Sequence, residues 1–565
     1  ALTAHPDIDR STVLVTSTAS GEILVGYVVP RTGASVDVSE LTSFAGSRLP
    51  GYMVPTQIMV LAEFPLNASG KLDRKALPEP VFEASEFRAP VSATEIAIAD
   101  VFADVLGIDR VGSDDDFFAL GGNSLAATRA AARITAALGK QVGVRELFEN
   151  STVAALAART DLQGTVHRVP LRPRTGDERV PLSLAQQRMW VLNRLDPGSG
   201  AYNMPLALRL TGDLDVAALQ AAATWAIERH ETLRTRYPED VDGTAFQEVL
   251  GAGATTLDLD PIDAAGEADI ADRVRRLVYD GFDVTAAPPV RGALFRLAGT
   301  DDGDMQYVFV IVMHHISGDG ASMAPLARDV MTAYLAATAG TVPSVAPLSI
   351  QYADYTLWQR EVLGSTNDPG SAANRQVDFW RTELSGITPV IALPWDRPRP
   401  AEPSLHGGSV RAHLDAQTHE AFLDIARSNN ATLFMVLHSV LAVVLARTSG
   451  ARDFAIGTPI AGRGDEQLDD IVGMFVNTLA LRTSVDPEAT FQDLVCSIRE
   501  SDLRAFGNAD VPFEHVVDVI GQDRTPGISP LFQTVLSVEP LGEARFELPA
   551  LTVEPVEVVN VKDVI

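Results

Sequence analysis

Cysteine and positive charge are both scarce in this chain. Only one of its 565 residues is a cysteine, Cys496, which excludes a disulfide framework and a metal site built from cysteines. Cys496 lies in a helical pattern, so we expect it to be a small buried residue. Acidic residues outnumber basic ones by 74 to 45, and the formal charge of −29 argues against nucleic acid or an anionic membrane as a partner.

Long hydrophobic runs are also missing. The longest apolar stretch, LFMVLHSVLAVVLA, contains His438 and is shorter than the roughly 20 residues that a membrane helix needs. It therefore predicts a buried helix. No secretory signal peptide opens the sequence, which together with the single cysteine predicts a cytoplasmic protein.

The sequence divides into three segments. Residues 1–78 alternate like a pair of strands beside a helical pattern, which predicts a small α+β unit. Residues 89–162 hold four helical patterns, and residues 179–565 alternate strands and helices as an α/β protein does. Stretches rich in proline or polar residues separate the segments, around residues 79–88 and 161–178.

The middle segment begins with clear helix signals. Ser92 and Glu95 form a capping-box pattern, Ile98 and Phe102 belong to one apolar stripe, and Gly107 ends it. The four patterns together predict a small helical bundle.

Ser124 opens the second of these helices in the stretch ALGGNSLAATR. One interpretation is an N-cap, in which the serine oxygen accepts a hydrogen bond from the first turn. A helix N-terminus also favours a phosphate. Since Asp114, Asp115 and Asp116 are nearby, a covalent phosphodiester suits the site better than free phosphate.

The middle segment resembles a peptidyl carrier protein of a nonribosomal peptide synthetase. The stretch DDDFFALGGNSLAATR and the four-helix length carry the resemblance. It implies that Ser124 bears 4′-phosphopantetheine, whose thiol holds an aminoacyl or peptidyl thioester. A phosphopantetheinyl transferase is then an implied partner.

The first segment is similar to the C-terminal subdomain of an adenylation domain. The motifs LPGYMVP and PLNASGKLDRKAL carry this resemblance, and in the family the lysine of the second motif, here Lys71, contacts substrate oxygens. The alternative for Lys71 is an exposed lysine in a glycine turn. Because the large ATP-binding subdomain is not in this sequence, we expect no adenylation activity.

The third segment contains IVMHHISGDGAS, two histidines after a run of strand-formers. QYVFVIVMHH, at 306–315, predicts a strand buried on both faces, on which His314 and His315 point in opposite directions. No cysteine or carboxylate cluster at ligand spacing is nearby, so we expect no metal site. Core histidines before a turn, with Asp319 capping the next helix, are the remaining structural interpretation.

HHISGDG resembles the HHxxxDG signature of condensation domains, which are relatives of chloramphenicol acetyltransferase. Further motifs of the family stand in order: LSLAQQRMWVL, RHETLRTRY, YADYTLWQR, IGTPIAGR, VGMFVNTLALR, DVPFEHVV and SPLFQTVLSV. The resemblance implies two lobes with a tunnel between them. The expected chain is multidomain: a small α+β subdomain, a four-helix carrier bundle and a two-lobed α/β condensation domain.

The resemblance also implies roles for single residues. His315 faces the tunnel, and His314 faces away and supports the structure. Asp319 makes a structural salt bridge, for which Arg463 is the first candidate partner and Arg234 the second. The backbone N–H of Gly320 is a possible oxyanion donor.

The implied reaction is amide formation between two carrier-bound thioesters. SLAQQRMWVL and RHETLRTRY favour the subclass that joins an L-configured donor to an L-configured acceptor. The alternatives are an epimerization-type domain, disfavoured because the carrier reads GGNS and not GGDS, and a non-catalytic platform that docks partner enzymes. Implied partners are a downstream acceptor carrier with its adenylation domain and upstream synthetase modules. Family members usually continue beyond VEVVNVKDVI, so we expect the condensation domain to be incomplete at its C-terminal end.

Overall fold

A computed structural model describes residues 2–18, 21–31, 36, 41, 44, 55, 57–61, 64–65, 77, 87–164, 169–176, 179–297, 305–397, 408–521, 528–538, 546–548 and 551–556. The chain forms two compact units, described separately. The first unit contains Ala1–Ala89, Gly112–Asp114 and Asp415–Ala431, and the second contains Pro90–Val111, Asp115–Leu414 and Thr432–Ile565.

The helices and strands are numbered in chain order. The helices are α1 Ala93–Leu106, α2 Ser124–Leu138, α3 Val144–Glu149, α4 Val153–Asp161, α5 Leu184–Leu195, α6 Val216–Arg229, α7 Glu267–Tyr279, α8 Met323–Thr338, α9 Tyr352–Leu363, α10 Ala372–Glu383, α11 Ala416–Ser428, α12 Leu433–Ser449, α13 Phe491–Phe506 and α14 Phe513–Ile520. The strands are β1 Ile8–Thr18, β2 Gly21–Pro30, β3 Gln57–Val60, β4 Val180–Pro181, β5 Asn203–Gly212, β6 Thr235–Arg236, β7 Phe246–Val249, β8 Ile262–Ala264, β9 Val290–Leu297, β10 Gln306–His314, β11 Asp453–Ile460, β12 Asn477–Ser484, β13 Phe546–Leu548 and β14 Leu551–Pro555.

The first unit contains a three-stranded sheet in the order β1-β2-β3. β1 and β2 pair antiparallel, as the sequence predicts, and β2 pairs parallel with β3. Ile8, Val28 and Ile58 form part of its core. Most of the predicted helix DVSELTSFAGSRLP lies outside the described residues.

The carrier bundle begins as the sequence predicts. The Ser92 side chain accepts from the Glu95 N–H while the Glu95 carboxylate accepts from the Ser92 N–H, so the capping box is confirmed. Gly107 ends α1 in the left-handed conformation, with φ of 68°. α1 packs against α2 and α4, and it buries Ile98 and Phe102 completely.

A six-stranded sheet forms the base of the first lobe of the condensation segment. Its order is β13-β14-β5-β10-β9-β8, antiparallel except for the parallel pair of β8 and β9. One face of β10 packs with α6 and α8, and the other packs with α7. β10 is thus covered on both sides, which confirms the prediction for this apolar strand.

The second lobe is built around β11 and β12, which pair antiparallel. α13 packs against α12 and β12. Between them His438 is fully buried, with its Nδ1 3.2 Å from Asp502 and its Nε2 2.8 Å from the Thr483 hydroxyl. Among the described residues, no single helix is long and apolar enough to cross a membrane.

The prediction for the single cysteine was wrong. Cys496 lies on α13 but is exposed. The buried stripe of α13 passes through Leu494, Val495 and Ile498, so position 496 falls on the solvent side.

Candidate active site

The two neighbouring histidines lie where β10 ends and a short 3-10 turn begins. His314 is the last residue of β10 and is 1% exposed. Its Nδ1 accepts a hydrogen bond from the Ile316 N–H at 3.1 Å. Burial, together with the adjacent His315, lowers the pKa of His314 to about 3. His314 is therefore a neutral, buried residue that ends β10.

His315 lines a cavity of about 630 Å³. Its backbone N–H donates to the Tyr202 carbonyl at 2.8 Å, and its ring Nδ1 lies 3.0 Å from the sulfur of Met474. With the proton on Nδ1, the ring donates to this sulfur and leaves Nε2 as an acceptor. Burial lowers the pKa of His315, against the attraction of Asp319, so the ring is neutral at pH 7.

Asp319 is buried beside this turn in a dense set of hydrogen bonds. Its Oδ1 accepts from the Ser322 N–H at 2.9 Å and from Arg463 Nη2 at 3.0 Å, and its Oδ2 accepts from the Phe475 N–H at 3.0 Å. The guanidinium of Arg463 also lies 4.1 Å from the centroid of the Phe475 ring. This pair ties the turn after β10 to the segment between β11 and β12. Asp319 caps the short turn Gly320–Ser322 at the same time.

Arg234, the second candidate partner of Asp319, lies elsewhere. Its guanidinium is 3.6 Å from Glu231 and donates to the Leu250 carbonyl. Gly320 is exposed and is not among the residues that line the cavity in the described part of the chain. This placement gives no support to an oxyanion role for its N–H.

Three other residues that line the cavity were not predicted from the sequence. Arg188 on α5 pairs with Glu514 on α14 at 3.1 Å, and both line the cavity with Met474. All three belong to motifs that mark the family, but a motif does not say which of its side chains face the same space. Only the tertiary fold brings them together.

Ser124 is the first residue of α2 and is 5% exposed. The N-cap of this helix is Asn123, whose side chain accepts from the Ala126 N–H at 2.9 Å, so the capping interpretation of Ser124 was wrong. The hydroxyl of Ser124 instead lies 2.6 Å from that of Thr432, the N-cap of α12. The serine side chain is therefore not used to cap its own helix, and in this arrangement its hydroxyl is bonded to Thr432.

The cavity connects the carrier to the histidine. Leu125, Thr128, Arg129 and Ala132 of α2 line it together with His315. A continuous space between the residue next to Ser124 and His315 fits a flexible covalent arm that starts on this serine.

Lys71 lies outside the described residues. Among the described residues, no group of three or more His, Cys, Asp or Glu side chains is placed to hold a metal ion.

Comparison with known families assigns each segment. Residues 177–560 match the model described as "Condensation domain", residues 97–160 match "Phosphopantetheine attachment site", and residues 1–71 match "AMP-binding enzyme C-terminal domain". The middle segment accordingly carries covalent 4′-phosphopantetheine.

Similar proteins are large synthetases. The chain is 42% identical over 550 residues to a dimodular nonribosomal peptide synthase of Bacillus subtilis (strain 168), covering 97% of this chain and 23% of that protein. It is 43% identical over 555 residues to the probable non-canonical nonribosomal peptide synthetase CymA of Salinispora arenicola (strain CNS-205), covering 98% and 7%. The chain thus spans less than a quarter of the length of these two relatives.

Solved structures show the same fold for the third segment. The X-domain from teicoplanin biosynthesis aligns with a TM-score of 0.62 and 34% identity, covering 69% of this chain and 86% of that one. The first condensation domain of the CDA synthetase aligns with a TM-score of 0.54 and 21% identity, covering 68% and 88%, and at that identity the likeness concerns the fold alone.

Proposed function

Because the chain belongs to the condensation-domain family of nonribosomal peptide synthetases, we propose that its third segment forms an amide bond. The acyl group comes from the carrier at Ser124, and the amine comes from an acceptor aminoacyl thioester. The observation that carries this proposal is the cavity that His315 shares with the carrier helix.

4′-Phosphopantetheine on Ser124 supplies the thiol that holds the acyl group as a thioester. In the reaction the acceptor nitrogen forms a bond to the acyl carbon, the carbon–sulfur bond breaks, and the amine loses one proton while the thiol gains one. The chain's own residues must therefore hold the amine and accept its proton.

His315 is proposed to hold the amine first and to take its proton second. An α-amine has a pKa of about 7.7 to 8.0, so a fraction is already neutral near pH 7 and a strong base is not required. A neutral ring with Nε2 as acceptor hydrogen-bonds the N–H of the amine and aims its lone pair. The attack makes the nitrogen acidic, and Nε2 then receives the proton. General-base help of this kind contributes about 10²- to 10⁴-fold.

His314, Asp319 and Arg463 are proposed to position His315. Each is buried, and the Asp319–Arg463 pair fixes the turn that carries His315 against the Met474 segment. None of the three is proposed to touch substrate.

Finer assignments follow from the motifs. The motifs SLAQQRMWVL and RHETLRTRY support an L-donor joined to an L-acceptor. We place the subdomain that resembles adenylation enzymes at residues 1–78, the carrier at 89–162 and the condensation domain at 179–565, with Lys71 inactive in adenylation. The proposed partners are an acceptor carrier with its adenylation domain, upstream modules and a phosphopantetheinyl transferase.

A second candidate is a platform that docks partner proteins without turnover. The X-domain from teicoplanin biosynthesis, which has been solved in complex with OxyB and is 33% identical to this chain, favours it. The shared cavity with a neutral histidine in it favours catalysis.

Mass spectrometry of a loaded chain tests the proposal. An aminoacyl-phosphopantetheine is installed on Ser124 with a transferase, and an aminoacylated acceptor carrier is added. We expect the amino acid to appear on the acceptor as a dipeptide, and His315→Ala to slow transfer by about 10² to 10⁴-fold.

The matched control is His413→Ala, because His413 is an exposed histidine of the same unit. It should transfer at the wild-type rate. Loading without transfer to any of several acceptors, in a chain that still binds them, would establish the platform and reject catalysis.

A further inference from the structure

The second carrier helix meets an acidic turn of the condensation segment. This acidic turn, residues 465–470, contains Asp465, Glu466, Asp469 and Asp470. From α2, Arg129 Nη2 lies 3.2 Å from Asp469 Oδ2, and Arg133 Nη2 contacts the same oxygen. Two arginines of the carrier thus form ion pairs with the same carboxylate, Asp469 of the condensation segment.

Arg133 makes this contact energetically important. Its side chain is only 5% exposed, and its second partner is Asp104 on α1 of the carrier. Burial, together with the neighbouring Arg129, lowers the pKa of the Arg133 guanidinium. A buried guanidinium depends on its carboxylate partners to offset the cost of leaving water. Loss of Asp469 would leave Asp104 as the remaining partner of Arg133 in these two ion pairs.

Two further contacts fix the orientation of the carrier. Arg145 on α3 donates to Glu500 on α13 at 2.8 Å. The Ser124 hydroxyl meets Thr432 at 2.6 Å. The contacts involve three separate parts of the second lobe, so they define one docking orientation.

The overall charge of the carrier gives these pairs a selective role. Residues 89–162 contain ten acidic and six basic side chains, and the whole chain has a formal charge of −29. An acidic carrier approaching an acidic turn is repelled unless its cations are directed there. Three of the six, Arg129, Arg133 and Arg145, contact the condensation segment.

We propose that the acidic turn is a recognition surface for the acyl-donating carrier, with Asp469 as its central residue. Arg129 and Arg133 identify the carrier by charge, and a carrier without cations at these positions is rejected. The identity of this carrier as the acyl donor rests on the proposed function, whereas docking itself does not.

Docking is measured in the intact chain by distances between two spin labels. One label is placed on the exposed native Cys496 and the other on the carrier through Ala137→Cys, at an exposed position of α2. Wild-type contacts predict one narrow distance population. Asp469→Arg should broaden it and lower the ratio of docked to undocked chains by about tenfold or more.

Modification of Ser124 gives an independent readout. Since Ser124 is 5% exposed when docked, a phosphopantetheinyl transferase acts on the undocked carrier. Asp469→Arg should therefore raise the modification rate of the apo chain severalfold. Asp470→Arg is the matched control, because Asp470 pairs with Arg328 of the condensation segment and not with the carrier.

A double-mutant cycle excludes a general folding defect. Arg129→Ala and Asp469→Ala should each weaken docking, and the double variant should lose less than the sum of the two. Unchanged distances and modification rates in Asp469→Arg, or purely additive losses, would overturn the proposal.

The outcomes separate this inference from the proposed function. Docking that depends on Asp469 in a chain that forms no dipeptide leaves recognition standing and rejects the reaction. Dipeptide formation at the same rate by wild type and Asp469→Arg leaves the reaction standing and rejects recognition.

Discussion

Removing the carboxylate of Asp319 should destabilise the turn that carries His315 far more than its small size suggests. Asp319→Ala removes the one carboxylate that pairs with Arg463 among the described residues, at a position where the arginine is 6% exposed. It also removes the acceptor of the Phe475 N–H and of the Ser322 N–H. Breaking one side of a buried ion pair costs about 3 to 5 kcal/mol, and we expect a loss in this range.

Substituting Arg463 as well separates the contribution of the ion pair from the cost of burying one unpaired charge. Arg463→Met alone leaves Asp319 as an unpaired buried carboxylate. In Asp319→Ala/Arg463→Met no unpaired charge remains, so its loss of stability should be smaller than the sum of the single losses by about 1 to 3 kcal/mol.

Hydrogen exchange followed by mass spectrometry is the suitable assay, because a multidomain chain does not unfold in one step. The readout is the opening free energy of the peptide that contains Phe475, whose N–H is bound by Asp319. Asp470→Ala is the control. Its partner Arg328 is 50% exposed, so it should change the opening free energy by less than about 1 kcal/mol. Unchanged protection of Phe475 in Asp319→Ala would refute the reasoning.

The site makes four further predictions. Because burial lowers the pKa of His315, the fall in the rate of amide formation as pH drops through 6.5 should follow protonation of the amine alone, with no added loss from the histidine, as a pH–rate profile set beside the titration of the free amine will show. His314 has a folded pKa of about 3 against 6.5 in the unfolded chain, so as pH falls from 6.5 towards 3 the opening free energy around the end of β10 should fall by up to about 1.4 kcal/mol per pH unit, measured by hydrogen exchange from pH 7 to 4. Met474→Leu removes the sulfur acceptor of Nδ1, so kcat should drop severalfold with KM unchanged, and ¹⁵N spectra of the imidazole should show a mixed tautomer. Gly473→Ala would place Cβ 2.0 Å from a buried tyrosine ring and should lower the opening free energy of its peptide in hydrogen exchange by about 1 to 3 kcal/mol, whereas Gly320→Ala meets nothing within 4 Å and should be nearly neutral.

Local features of this chain were predictable because local chemistry determines them. β10 follows from its apolar run, and the start of α1 follows from Ser92 and Glu95. The alternative that made Ser124 the cap of α2 was wrong by one residue, because Asn123 and Ser124 both offer a suitable oxygen.

Tertiary relationships were less accessible. The motifs marked both Arg463 and Arg234 as candidates for Asp319, and only the fold places Arg463 next to it. The contact between Arg133 and Asp469 joins positions 336 residues apart, and no local pattern predicts it. Sequence patterns report which face of an element is buried, but they do not report which distant element covers it.

The six-stranded sheet has a consequence for biosynthesis of the chain. β14 is a neighbour of β5 in this sheet, although about 340 residues lie between their paired positions, Leu551 and Gly212. During translation β5 therefore keeps an open hydrogen-bonding edge until residues 551–555 have left the ribosome, and closing so long a loop is slow. An exposed strand edge invites pairing with other nascent chains. The first lobe should thus be more prone to pair with other chains before β14 has joined the sheet than afterwards.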